Sequence, residues 1–239
     1  MRIIAVIPAR YEAQRFPGKL LADLAGKTVL QRTYEAVQQT KLFDEVWVAT
    51  DSDAIARHIK TIGGQVYRSQ FVHGCGSNRV AECAEQLDAD VIINVQGDEP
   101  FISTQALSDL INAFKQDSGG IIDLASLMIP ITNKEIIENP NVVKVVSDNK
   151  GRALYFSRAA IPFMRAPGQV YRHVGIYAFR KAALLDFYTQ APTPLEQAEK
   201  IEAIRYLEMG KVMHMLKTDF VSVGIDTPED LVKATALIS

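Results

Sequence analysis

DVIINVQGDEP, residues 90–100, is the segment from which the architecture can be read. Asp90 to Val95 form a nearly continuous apolar run, too short for a helix and suited to a strand covered on both faces of a sheet. Gly97-Asp98-Glu99-Pro100 then stops it, with an acid, Asp98, at the carboxyl end of the strand. The same texture recurs on either side: Arg2 to Ile7, Glu45 to Ala49 and Asp123 to Ile129 also read as strands. Between them, Thr28 to Thr40, Asp53 to Ile62, Arg79 to Leu87 and Thr104 to Lys115 carry helical spacing. Thr28 with Gln31 three residues on has the form of a capping box, and Gly63-Gly64 is a natural helix stop. This βαβαβα order predicts an open, mostly parallel α/β sheet with right-handed crossovers. Ligands should then gather beyond the carboxyl ends of the strands.

After Pro130 the texture changes. Val142 to Ser147, Ala153 to Phe156 and Val170 to Phe179 read as strands of a mixed or antiparallel region. A helix over Leu195 to Met209, strands near Lys211 to Lys217 and Phe220 to Ile225, and a final helix opened by Thr227-Pro228-Glu229-Asp230 complete the chain. With no repeat, low-complexity tract or linker, residues 1–239 are expected to form a single domain, with a first half over 1–130 that carries the parallel sheet and a second half over 131–239 that elaborates the same sheet.

Of the 239 residues, 48% are apolar and 23% charged, which excludes disorder as the main state. With 26 Lys+Arg against 28 Asp+Glu, the net charge of −2 provides no global field for a polyanion, so neither nucleic acid nor a membrane surface is expected as a partner. The stretch Ile3 to Ile7 is too short for a signal sequence, and nowhere do eighteen apolar residues run together. Cys75 and Cys83 stand eight apart with Cys83 in a helical segment, which argues against a disulfide between them, and they lack the CxxC or His-rich partners of a zinc site. They read as structural thiols, and a cytoplasmic, reducing location is expected.

Two constellations carry chemistry. PARYEAQRFPGK, residues 8–19, follows the first strand and places Arg10, Arg15 and Lys19 around a lone acid, Glu12. Guanidinium forks grip phosphate oxygens in pairs and an ammonium acts as a point charge, a mix suited to a triphosphate. The loop is neither a dinucleotide GxGxxG nor a Walker A. Second, Asp98 closes one strand and Asp226 precedes a helix after another; two such carboxylates with substrate phosphates are what Mg²⁺ takes.

PAR-x4-R-x-PGK-L, Ala49-Thr50-Asp51, QGDEPF, ALYFSRAAIPF, HVGIYAFR, LEQAEKIEAIR and GIDTPEDL, in this order over nearly the whole chain, closely resemble the 3-deoxy-manno-octulosonate (Kdo) cytidylyltransferases. The resemblance implies a Rossmann-like nucleotidyltransferase fold, a mixed, mostly parallel central sheet with helices on both faces and a smaller antiparallel elaboration. It implies CTP and Kdo as substrates, Mg²⁺ as cofactor, a homodimer built through the second half, and a place in lipopolysaccharide precursor synthesis. Carried over by position, Arg10, Arg15, Lys19, Ser77, Arg79 and Gln96 bind nucleotide, and Asp98 and Asp226 hold metal. Arg10, Lys19, Asp98 and Asp226 are the catalytic set. Gln96, Arg158, His173, Tyr177 and Glu202 bind the sugar, whose carboxylate suits an Arg and whose hydroxyls suit the rest. Read without the resemblance, His173 and Tyr177 at i and i+4 of a strand share one face, as a half-buried structural pair also would.

Three positions depart from the family pattern. Ala13 stands where Ser is usual in PARYxSxR, Ser77-Asn78 replaces Thr-Asp in HxSGTDR over residues 73–79, and Ala203 replaces a Gln after the matched Glu202. The last removes a hydrogen bond to sugar, and Ala203 and Asn78 together keep open an amino-substituted Kdo or a sialic-acid-like acceptor. A rival of another class is a catalytically silent nucleotide-binding module.

Overall fold

Seven consecutive buried residues, Ile3–Ala9, make the strand β1 on which the first half of the chain is built. The structure, a computed structural model, describes residues 1–238 apart from 13, 14, 72, 74 and 222. By internal contacts the chain divides into two compact units, Met1–Thr104 with residues 222–239, and Gln105–Val221. The sequence expectation had divided the halves at 130. In the structure the helix and strand that precede Pro130 lie in the second unit, and the C-terminal residues lie in the first.

The first unit runs β1, a two-strand ribbon β2 (Asp23–Leu24) and β3 (Lys27–Thr28), α1 (Val29–Gln39), β4 (Glu45–Thr50), α2 (Asp53–Thr61), β5 (Gln65–Arg68), α3 (Gly76–Glu85) and β6 (Val91–Asn94). β1 pairs in parallel with β4 on one side and β6 on the other, and β5 extends the sheet in parallel beyond β4. All four residues of β6 are buried, as its apolar run required. Thr28 Oγ1 accepts from the Gln31 N–H, so α1 starts at the cap expected from the sequence, and Ser52 Oγ caps α2 by accepting from the Ile55 N–H.

The second unit continues with α4 (Thr104–Gln116), β7 (Leu124–Ile131), α5 (Lys134–Glu138), β8 (Lys144–Ser147), β9 (Ala153–Ser157), β10 (Val170–Arg180), α6 (Lys181–Thr189), α7 (Pro194–Glu199), α8 (Ala203–Glu208) and β11 (Met213–Lys217). β7 pairs in parallel with β11 and antiparallel with β10, and β10, β8 and β9 form an antiparallel run. The C-terminal helix α9 (Pro228–Ala236) belongs to the first unit and opens with a full capping box between Thr227 and Asp230. Parallel pairing in one unit and mixed pairing in the other give the α/β class expected from the sequence.

Two expected elements come out differently. The helix expected over Leu195 to Met209 is two helices, broken at Lys200, which adopts a left-handed conformation at φ 54°. The break brings Glu196 and Arg205 together: nine residues apart, they would stand about 13.5 Å apart along a straight helix, yet their side chains form a two-point ion pair at 2.6 and 2.5 Å. Phe220 to Ile225 forms no strand among the described residues. The Ile225 N–H bonds to the Asp98 carbonyl at 2.9 Å instead of to a ladder partner, which fixes Asp226 beside the turn after β6.

Candidate active site

A cleft of about 430 Å³ in the first unit is lined by Arg10, Glu12, Arg15, Lys19, Gly76, Arg79, Gln96, Asp98 and Asp226 among others. The loop after β1 folds back on itself where the Gly18 N–H meets the Tyr11 carbonyl at 3.0 Å, with Gly18 at φ 71°. A side chain there would be strained, so glycine is what permits the turn that delivers Lys19. Buried Leu20 anchors the following 3-10 turn. On the other wall, Gly97 lets the chain after β6 pass close under β1: a Cβ there would sit 3.0 Å from the Pro8 carbonyl and 3.3 Å from Leu30. The Gly97 carbonyl accepts from Thr33 of α1 at 3.0 Å, which holds the turn and aims Asp98 at the cleft.

Cations and carboxylates meet at one point. Lys19 Nζ lies 2.5 Å from Asp98 Oδ2 and 2.9 Å from Asp226 Oδ1, and Arg15 bonds Asp226 Oδ2 at 2.9 Å. Burial works to lower the Lys19 pKa, but the Asp98 charge and the hydrogen bonds to both aspartates outweigh it, and the net shift is upward. For Asp226 burial pushes upward and is overcome by Lys19 and Arg15, so its carboxyl titrates below its ordinary value. Among the described residues no group of three or more His, Cys, Asp or Glu is set to hold a metal ion. Two convergent carboxylates are nevertheless enough for Mg²⁺ when substrate oxygens complete the shell. Asp98 and Asp226 pass that test by both reaching one cationic nitrogen.

The third wall is α3. Arg79 is 1% exposed and is held by Asp51 at 2.6 Å and Ser69 Oγ at 3.1 Å, so it forms the cleft wall as an ion-paired group. Ser77 is buried one residue beyond cleft-lining Gly76. One turn further along α3, Glu82 anchors the preceding loop, accepting from the Gln70 N–H at 2.7 Å and contacting His73 Nε2 at 2.5 Å. Burial raises the Glu82 pKa, but these partners outweigh it and leave the carboxyl below its ordinary value. Next to it, burial pushes the free thiol of Cys83 up to about 12, so it is an inert core group, as expected. Of the departures, Ala13 lies outside the described residues, as does Gly74 of the 73–79 loop. Asn78 Oδ1 is buried with no hydrogen-bond partner among the described residues.

In the second unit, His173 and Tyr177 are neighbours, with ring centroids 5.3 Å apart. On an unbroken strand, residues four apart stand about 13 Å apart. A bulge explains the closeness: Val174 faces Leu127 and Tyr177 faces Ser126, so Gly175 and Ile176 are looped out and the two rings occupy adjacent same-face positions. Burial lowers the His173 pKa to about 4. Burial raises the Tyr177 pKa, and the charge of Glu202 pushes it the same way, placing Glu202 near the pair.

Arg158 does different work from a free anion clamp. Its Nε donates to the Glu199 carbonyl at 2.7 Å, Nη1 to Pro140 at 2.9 Å and Nη2 to Lys200 at 3.4 Å, so three of its five N–H groups are engaged with backbone. Beside it, fully buried Lys144 donates to the carbonyls of Asn139 at 2.9 Å, Val142 at 2.6 Å and Arg158. Glu199 closes the cluster by accepting from Ser157 Oγ and the Arg158 N–H. Glu82 and Glu199 carry no local sequence signal of these roles; Gly175 within a strand is the available sign of the bulge.

A family profile described as Cytidylyltransferase matches residues 4–215. A 3-deoxy-manno-octulosonate cytidylyltransferase of Christiangramia forsetii is 56% identical over 241 residues, covering 100% of this chain and 97% of that protein. Its namesake from Flavobacterium johnsoniae is 54% identical, covering 100% and 99%. A solved CMP:2-keto-3-deoxy-manno-octonic acid synthetase complexed with CTP matches with a TM-score of 0.94 at 35% identity, covering 100% of this chain and 98% of that one. A 4-diphosphocytidyl-2C-methyl-D-erythritol synthase from Anaerococcus prevotii, at a TM-score of 0.66 and 18% identity, shares the fold.

Proposed function

Because this chain belongs to the cytidylyltransferase family, and within it to the 3-deoxy-manno-octulosonate cytidylyltransferases, we propose that it transfers CMP from CTP to Kdo with the cleft around Lys19, Asp98 and Asp226 as its nucleotide site. The observation that carries the site assignment is the convergence of Arg10, Arg15 and Lys19 with two carboxylates, Asp98 in the turn after β6 and Asp226 just before α9. The anomeric 2-hydroxyl oxygen of Kdo attacks the α-phosphorus of CTP in line. An oxygen–phosphorus bond forms, the bond to the bridging oxygen of the β-phosphate breaks, the hydroxyl proton passes to water and pyrophosphate departs. Positioning and charge neutralisation suffice, and no covalent enzyme intermediate is needed.

Arg10, Arg15 and Lys19 hold the triphosphate and take up charge on the departing pyrophosphate. Asp98 and Asp226 would hold Mg²⁺, whose charge would screen the triphosphate and lower the pKa of the attacking hydroxyl. Arg79 and Gln96 wall the nucleotide. His173, Tyr177 and Glu202 serve the acceptor hydroxyls, and the two remaining N–H groups of Arg158 suit its carboxylate. Homodimerisation through the second half is supported by exposed Leu154 and by Phe163, which is 87% exposed. A reducing cytoplasmic setting accords with the free Cys83 thiol. No helix among the described residues is long and apolar enough to cross a membrane. The product is a sugar donor of the kind consumed in lipopolysaccharide precursor synthesis.

A coupled pyrophosphate assay over four nucleotides and a panel of 2-keto sugar acids tests the reading. Release with CTP and Kdo is expected; release with UTP or an aldose phosphate but none with CTP and Kdo overturns it. Asp98→Ala should lose most turnover while CTP binding partly persists, and near-wild-type turnover would remove Asp98 from the site. The metal assignment is read independently by Mn²⁺ binding in electron paramagnetic resonance, which Asp98→Ala and Asp226→Ala should each weaken.

A further inference from the structure

Ser126, on β7, is fully buried, and its hydroxyl meets three atoms of β10: His173 Nε2 at 2.9 Å and the carbonyl oxygens of Val174 at 2.9 Å and Ile176 at 2.7 Å. The two carbonyls can do nothing but accept, so the hydroxyl's single hydrogen is directed at them. What Ser126 Oγ offers the imidazole is then a lone pair, and a ring nitrogen at 2.9 Å satisfies a lone pair only by carrying a hydrogen.

We propose that Ser126 is a positioning residue for acceptor-sugar binding: it holds His173 as the Nε2–H tautomer, which makes Nδ1 the ring's acceptor for a hydroxyl of the sugar. The proposal rests on the reading that His173 contacts the acceptor. The ring's orientation is set from two further sides, by Phe156 in a T-shaped contact at a centroid distance of 5.1 Å and by Tyr177 at 5.3 Å. Burial keeps the imidazole neutral above about pH 4, so the ring is not a cation with two donors. The same hydroxyl also binds both carbonyls of the bulge that brings His173 to Tyr177. One buried oxygen therefore sets the spacing of the two rings and the direction in which the first of them hydrogen-bonds. An acceptor at Nδ1 selects for an O–H or N–H donor on the substrate and against a bare carbonyl or carboxylate oxygen at that point.

Nitrogen-15 correlation spectra of histidine-labelled protein test this, with the His173 signal identified by its loss in His173→Gln. The wild type is expected to show a neutral Nε2–H ring at pH 7, and an Nδ1–H ring overturns the proposal without any Ser126 variant being needed. Ser126→Ala should yield a tautomer mixture and raise the KM for Kdo about tenfold, the worth of one hydrogen bond, with the KM for CTP within about twofold. A Ser126→Ala enzyme that keeps both the pure Nε2–H ring and the wild-type KM for Kdo also overturns it. If His173→Gln leaves the KM for Kdo unchanged, the sugar-site reading of His173 fails and the role in sugar binding falls with it. The tautomer spectra then still decide whether Ser126 orients the ring.

Discussion

Lys19 Nζ stands closer to Asp98 Oδ2, at 2.5 Å, than to Asp226 Oδ1, at 2.9 Å, so the ammonium belongs first to the carboxylate in the turn after β6. The lysine thus occupies the point where the two aspartates would jointly hold a divalent cation, and the two cations compete for the same oxygens.

Lys19→Met should therefore separate metal affinity from turnover. With the ammonium gone, Mn²⁺ should bind the nucleotide-free enzyme about tenfold more tightly by electron paramagnetic resonance titration, since two unscreened carboxylates remain. Turnover should still fall by about 10² or more, because a donor to the triphosphate is lost. Weaker Mn²⁺ binding in the variant would mean that Lys19 supports the metal seat and does not compete for it.

Gly97→Ala puts a methyl 3.0 Å from the Pro8 carbonyl, a backbone atom of the central strand that cannot move aside cheaply. A stability loss of about 1–3 kcal/mol is expected, as for other overpacked sites. Turnover should fall with it, since the same turn aims Asp98. Melting and turnover both at wild-type values would show that the turn yields without consequence.

Acid should weaken the fold in part through His173. Its folded pKa is lowered to about 4 from an ordinary 6.5. Between those values the unfolded chain binds the extra proton, so stability falls as pH drops from about 6.5 to about 4 and loses nothing further to this group below that. The full effect is about 3 kcal/mol. Thermal unfolding across that window should fall less steeply in His173→Gln than in the wild type; parallel curves would assign the acid sensitivity to other groups.

Removing half of the Glu196–Arg205 pair should cost more than removing all of it. Both side chains are buried, at 7% and 3% exposure. Arg205→Met strands a buried carboxylate, for a loss of about 3–5 kcal/mol in denaturant unfolding. Arg205→Met with Glu196→Leu should be the milder variant, and a double variant worse than the single would contradict this.

The parts of the fold that the sequence made legible are those where one local rule suffices. The apolar run of β6, the caps at Thr28 and Thr227 and the Gly63 stop each declare themselves within a few residues, and the basic loop and Asp98 follow from their strands. Lys200 does not, because nothing local marks a lysine for a left-handed break; Glu196 and Arg205 impose it from either side. The resemblance places Arg158 on the acceptor sugar, but its bonds to the carbonyls of Pro140, Glu199 and Lys200 have no local sign because those carbonyls are positioned by the tertiary fold. His173 and Tyr177 were recognisable as a pair, while their distance depended on a bulge whose effect a strand pattern does not reveal.

That bulge sets a counting rule for the segment. Two residues are looped out, and His173 and Tyr177 share a face because each stays opposite its own partner on β7. The bulge is therefore the place where this strand can change length: removing Gly175 leaves a one-residue bulge with Tyr177 still opposite Ser126, whereas a residue lost between Tyr177 and Phe179, in the regular ladder, turns everything beyond it to the other face. A natural or engineered chain that differs by one residue here keeps the ring pair only if the difference falls in the bulge.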